Sequence, residues 1–224
     1  MLKVLMLVNG FPSKLNDDRG IFNYRTAQLL SQYVDLEIYH LSALKLNRIF
    51  NENTKYKNLN VKRIIIPQVP FLWRFNILLK VIALKVYIKC SKFDILYSVD
   101  IINLGIPAAS VLSNSNCCHI SQAIGSDVNS LLPNISHLKS LNKFNGIICN
   151  SEDLKNKLKK TLFKDIPTKR IYRGVSLDDF PYKPLPECND TLGIRFLYLG
   201  GTPKYKNLRH KINTKGGISL IEQW

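Results

Sequence analysis

Asp127 closes the tripeptide Gly125-Ser126-Asp127, which follows the short run His119 to Ala123. If that run is a strand, a carboxylate at its carboxyl end stands where open α/β sheets bind ligands, and there it can hold sugar hydroxyls. The same residue can equally cap a short helix beginning next to it. Gly20 ends the polar loop PSKLNDDRG directly before an apolar helical pattern, so its amide and the helix dipole can meet a phosphate. The competing reading is a plain turn that needs a glycine. Other chemistries find no support. Asn9-Gly10-Phe11 is not G-x-G-x-x-G, and there is no Walker lysine motif, which disfavours a dinucleotide dehydrogenase and a P-loop enzyme. G-x-S-x-G is absent, and His40, His119, His137 and His210 are scattered without a partner at ligand spacing, so neither a serine hydrolase nor a structural metal is expected. Spacing alone identifies no catalytic residue.

The elements that must position these groups alternate along the chain. Leu2 to Val8 (LKVLMLV) is a nearly continuous apolar run closed by Asn9-Gly10, the pattern of a central strand buried on both faces of a parallel sheet. Further strands are predicted at Leu36 to Leu41, Val61 to Ile66, Ile95 to Ser98, His119 to Ala123, Gly146 to Asn150 and Arg170 to Arg173. Helical patterns fall between most of them, at Ile21 to Tyr33, Phe71 to Lys92, Ile102 to Ser113, a broken region Val128 to Lys143, and Ser151 to Leu162. In the last, Ser151 caps, Glu152 and Asp153 occupy the first turn, and lysines fill the later ones. Such alternation predicts an α/β fold with an open, mostly parallel, Rossmann-like sheet.

The chain of 224 residues carries 32 Lys and Arg against 16 Asp and Glu, a net charge of +16 that favours anionic partners. Lysines occur throughout, with no helix-turn-helix and no RNP-like aromatic strand, so no specific nucleic-acid partner is expected. An anionic membrane surface stays open. Phe71 to Ile88 (FLWRFNILLKVIALKVYI) is apolar enough to raise the question of a span, but Arg74, Lys80 and Lys85 each oppose insertion by up to about 3 kcal/mol. The expectation is a core helix whose lysines snorkel, with surface contact to a membrane as the alternative. The five cysteines show no C-x-x-C pair, which suits free thiols in a reducing cytoplasm. The apolar run at the amino terminus stops at Val8, too short for a secretory signal core.

From Ser176 to Asp190 the sequence is rich in proline and acid, as a linker between domains would be. Ile194 to Leu199 then begins a new apolar strand, followed by a basic loop and the helix-like GISLIEQW. The organisation expected is one domain over residues 1–175, a linker over 176–193, and a second domain begun but not completed over 194–224.

Five stretches taken together, NGFPSKLNDDRGIFNYRTAQLL, IGSDVN, IICNSEDLKNKL, RIYRGVSLDDF and FLYLGG…TKGGISLIE, resemble in order the landmarks of family 4 glycosyltransferases of the GT-B fold. The resemblance implies two Rossmann-like domains, a nucleotide-diphosphate sugar as donor substrate, and transfer with retention and without a metal or other cofactor. It also implies a lipid-linked or polysaccharide acceptor at the cytoplasmic face of a membrane. By position, Gly20 and Lys215 become donor phosphate-binding residues, Lys215 neutralising the leaving diphosphate. Gly125, Ser126 and Asp127 become cleft or acceptor-binding residues. There are departures from the pattern. Ile124 replaces a histidine that many members carry, and Arg173 replaces an asparagine. The loop from Gly200 to Lys215 is extended, with Lys204 and Arg209 as stand-ins for the arginine that accompanies the lysine. The E-x(7)-E segment that should hold the donor is absent. The resulting expectation is a truncated and by itself inactive transferase. Its rivals are half of a split transferase, or a non-catalytic basic scaffold that binds a membrane or an acidic partner.

Overall fold

A computed structural model describes residues 1–12, 20–44, 52–68, 72–88, 93–112, 116–131, 139–162 and 165–174. The chain divides into two units, Met1–Gly174 and Val175–Trp224, and every described residue belongs to the first. The predicted linker and the strand at Ile194 to Leu199 therefore lie outside the described residues.

Strand β1 (Lys3–Val8) is buried along nearly its whole length, as its unbroken apolar run demands. It pairs in parallel with β2 (Asp35–Ala43) on one side and β5 (Ile95–Val99) on the other, Val4 standing opposite both Leu36 and Ile95. Beyond β2 come β4 (Leu59–Ile66) and an antiparallel edge strand, β3 (Glu52–Tyr56). Beyond β5 come β6 (Cys118–Ala123), β7 (Gly146–Cys149) and β8 (Thr168–Arg170), all parallel. The eight strands run in the order β3-β4-β2-β1-β5-β6-β7-β8. The fold is the open, mostly parallel α/β sheet that the alternation of elements predicts.

Alternation along β1 divides the core between the two faces. Val4, Met6 and Val8 meet helix α1 (Ile21–Leu30) through Tyr24 and Ala27, beside an edge-to-face group of Phe11, Tyr24 and Tyr56. Leu5 and Leu7 on the other face meet Leu84 and Ile88 of α2 (Trp73–Ile88) and Ala108 of α3 (Ile106–Val111). Farther along that face, Ile147 and Cys149 pack under Leu158 of α5 (Glu152–Thr161), and Val128 of α4 (Ser126–Leu131) joins them.

Two expectations need correction. The helix predicted over Ile102 to Ser113 begins as one π-helical turn, Ile101–Gly105, because the Asp100 carbonyl accepts from the amides of both Leu104 and Gly105, at 3.2 and 2.9 Å. The lysines of α2 do not all snorkel: Lys80 is buried, and the helix turns a different, apolar face outward.

Candidate functional site

In this topology the strand order reverses between β1 and β5, so the crevice at their carboxyl ends is the place where such sheets take ligands. Asn9 leaves β1 there and Asp100 leaves β5, and the Asn9 Nδ2 donates to Asp100 Oδ2 at 3.2 Å. Asp100 sits at φ 97°, a left-handed conformation that a non-glycine residue adopts only when its surroundings enforce it. The enforcing contacts are visible. Asn103 donates to the carboxylate through its backbone amide at 2.9 Å and its side chain at 2.8 Å, and Lys80 Nζ donates to Asn103 Oδ1 at 3.4 Å.

Asp100 and Lys80 are both buried. Burial pushes the Asp100 carboxyl above the usual carboxylate range, against the hydrogen bonds from Asn103 and the charge of Lys80; the negative charge of Asp127 adds to the rise. Burial likewise pulls the Lys80 ammonium down, opposed by Asp100. Each group is thus held closer to its neutral form than in water. A strained, buried carboxylate on the ligand-binding edge, its affinity for a proton raised by burial, is suited to accepting a hydrogen bond from an incoming hydroxyl, or its proton.

Of the residues singled out in the sequence, Asp127 adjoins this point through the Ile101 amide, and Gly20 is linked to it through Gly10 and Asn9. Asp127 is buried, and its carboxylate accepts from the backbone amides of Ile101 at 3.0 Å, Ile124 at 3.0 Å, Gly125 at 2.8 Å and Val128 at 2.9 Å. It thereby ties the turn after β6 to the turn after β5, immediately beyond Asp100. Gly125 lies at φ 112° with open space where a side chain would be, and Ser126 begins α4 beside it, exposed. Gly20 stands at φ 81° before α1, and a β-carbon built there falls 2.4 Å from both the carbonyl carbon and oxygen of Gly10. The Asn23 side chain fixes the same carbonyl at 2.7 Å. Gly20, Gly10, Asn9, Asp100, Ile101 and Asp127 therefore form one continuous arc along the carboxyl edge. Gly20→Ala should cost roughly 2 to 4 kcal/mol, from the left-handed backbone and the clash together. A urea midpoint unchanged from wild type would show that the loop gives way.

Lys215, Lys204 and Arg209 lie outside the described residues. Arg173 is described; its guanidinium lies 5.3 Å from the Phe22 ring of α1. Ile124 directly follows β6 and is exposed. The sequence reading missed Asn9, Lys80, Asp100 and Asn103. The signal was present in ILYSVDIINLGI, where one carboxylate is trapped between two apolar runs and cannot reach water freely. Among the described residues no group of His, Cys, Asp and Glu is arranged to hold a metal ion.

No protein-family model and no curated protein matches the chain. Solved structures do. The chain is similar to trehalose-6-phosphate synthase (TM-score 0.59, 11% identity, 83% of this chain and 53% of that one). It is also similar to sucrose-phosphate synthase from Thermosynechococcus elongatus (TM-score 0.53, 12% identity, 79% and 49%). The E. coli trehalose-6-phosphate protein bound with UDP-2-fluoro glucose matches with TM-score 0.55 and 14% identity over 82% and 52%. The fold is Rossmann-like and matches GT-B enzymes. This chain spans about half the length of the synthases it resembles, 53% in the first case. The same likeness extends to UDP-N-acetylglucosamine 2-epimerase from Rickettsia bellii (TM-score 0.50, 13% identity, 75% and 44%), so one fold carries two chemistries.

Proposed function

We propose that this chain is the acceptor-side part of a retaining, metal-independent glycosyltransferase of family 4, taking a sugar from a nucleotide-diphosphate donor. The acceptor is a lipid-linked or polysaccharide hydroxyl at the cytoplasmic face of a membrane. The observation that carries the reading is the strained, buried Asp100 with Asn9, Asn103 and Lys80 at the reversal point of the sheet. Similarity to glycosyltransferase structures supports it, as does the ordered series of sequence landmarks. In this reading Asp100 receives the acceptor hydroxyl, the Gly20 turn approaches the donor phosphates, and Lys215 neutralises the leaving diphosphate. Asp127 holds the two cleft turns in place.

The 224 residues contain no E-x(7)-E segment to grip the donor. In this reading those carboxylates are needed to hold the donor while its diphosphate departs. The chain alone should therefore neither hydrolyse nor transfer UDP-glucose or UDP-N-acetylglucosamine above background, and turnover should return when a donor domain is supplied in trans. Asp100→Ala should then remove about a hundredfold or more of the restored rate, the scale on which a positioned proton acceptor acts. Turnover by the chain alone that is lost in Gly20→Pro would refute the division of labour. Restored turnover indifferent to Asp100→Ala would refute the site. No restoration with any donor domain would favour a non-catalytic scaffold.

A further inference from the structure

Helix α2 presents an outward face that water does not explain. Phe75, Leu78, Ile82 and Val86 are 45%, 52%, 51% and 63% exposed and recur at helical spacing, forming one stripe along the surface. Leu72, just before the helix, extends the stripe, and Lys85 is the one charged side chain described beside it. The opposite face is already committed, since Lys80, Leu84 and Ile88 are buried against the sheet. A surface helix normally turns polar residues outward. This one turns an apolar stripe outward and buries a second face that is apolar apart from Lys80.

We propose that the outward stripe of α2 docks into the interface of an anionic lipid bilayer. Length argues for lying on the membrane and against crossing it: α2 has 16 residues, about 24 Å at 1.5 Å each, and no described helix is long and apolar enough to span. Charge selects the occupant. A chain of net charge +16 is drawn to an anionic surface, where each nearby Lys or Arg contributes about 1 kcal/mol, whereas a second copy of equal charge is repelled. Position gives the docking a purpose. Between β4 and β5 the chain returns through α2, so its first turns, with Leu72 and Phe75, lie toward the carboxyl edge of the sheet, and Lys80 from the same helix reaches Asn103 beside Asp100. A bilayer held against this stripe brings lipid headgroups toward the edge that carries Asp100. That last step rests on the transferase reading; the docking itself does not.

The test uses the whole chain and vesicles of phosphatidylcholine alone or mixed equally with phosphatidylglycerol, with no sugar donor present. At low salt the mixed vesicles should bind at least about tenfold more protein than the neutral ones. A fraction should stay bound at about 0.5 M NaCl, where surface attraction is screened, because the apolar contact remains. Phe75→Ser combined with Ile82→Ser should abolish this salt-resistant fraction with an unchanged melting temperature, since both side chains are exposed. Lys85→Glu should weaken low-salt binding only. Failure of the wild type to bind mixed vesicles, or an unchanged salt-resistant fraction in the double variant, overturns the proposal. So does a wild-type dimer that the double variant turns into a monomer, which would assign the stripe to a second copy. Transfer activity is measured separately, so the two readings fail independently.

Discussion

Asp127→Ala is expected to lower the stability of the sheet domain by roughly 3 to 5 kcal/mol. Its carboxylate serves the buried or half-buried amides of Ile101, Ile124, Gly125 and Val128. Each amide left without a partner away from water costs about 1 to 3 kcal/mol, and water entering the new space offsets part of the sum. Asp127→Asn keeps one acceptor oxygen and turns the other position into a donor facing donors, so it should fall between alanine and wild type. The consequence reaches Asp100, because the Ile101 amide is one of the four and stands next to the strained residue. Urea denaturation with a fixed slope measures the loss. A change of less than about 1 kcal/mol for the alanine variant would mean that water replaces the carboxylate fully.

Asp127 also shows how far the sequence could be read. A carboxylate after a strand and before a helix is equally a ligand-binding group and a cap, and only the four amides reveal how heavily its oxygens are already used. Elements with strong local signals were legible. Helix α5 begins where Ser151 predicts, its Oγ accepting from the Leu154 amide at 3.3 Å, and β1 follows from its unbroken apolar run. Strand β3 was not legible, since ENTKY alternates no apolar face and becomes a strand by pairing antiparallel with β4 across the Lys57 turn. Nor was the π-helical turn, which depends on Asp100 taking two amides and on the missing N–H of Pro107 in the next turn. The apolar content of α2 was plain, but which face it buries depends on the sheet beneath it. Reading Lys80 as snorkelling failed because its partner Asn103 is remote in sequence.

The second large effect is on acid stability, and it originates away from the carboxyl edge. His119 of β6 is 1% exposed, packed 4.5 Å from the Phe144 ring, with its Nε2 3.0 Å from Ser98 Oγ and its Nδ1 without a hydrogen-bond partner. Burial lowers its pKa to about 4 from the ordinary 6.5. The folded state therefore keeps a neutral imidazole while the unfolded chain takes up a proton, so stability is full above about pH 6.5 and is lost as pH falls toward 4. Over that window the loss attributable to this one residue is about 3 kcal/mol, of which about 2 is already gone at pH 5. His119→Gln retains a group able to bond Ser98 and cannot become charged. It is expected to be somewhat less stable than wild type at pH 7.5 and to close that gap, or reverse it, by pH 4.5. Carboxylates that titrate in the same range act on both proteins and cancel in the difference. A wild-type minus variant stability difference that stays constant from pH 7.5 to 4.5 would show that the imidazole is protonated in the folded state as easily as in water, and the buried neutral histidine would have to be abandoned.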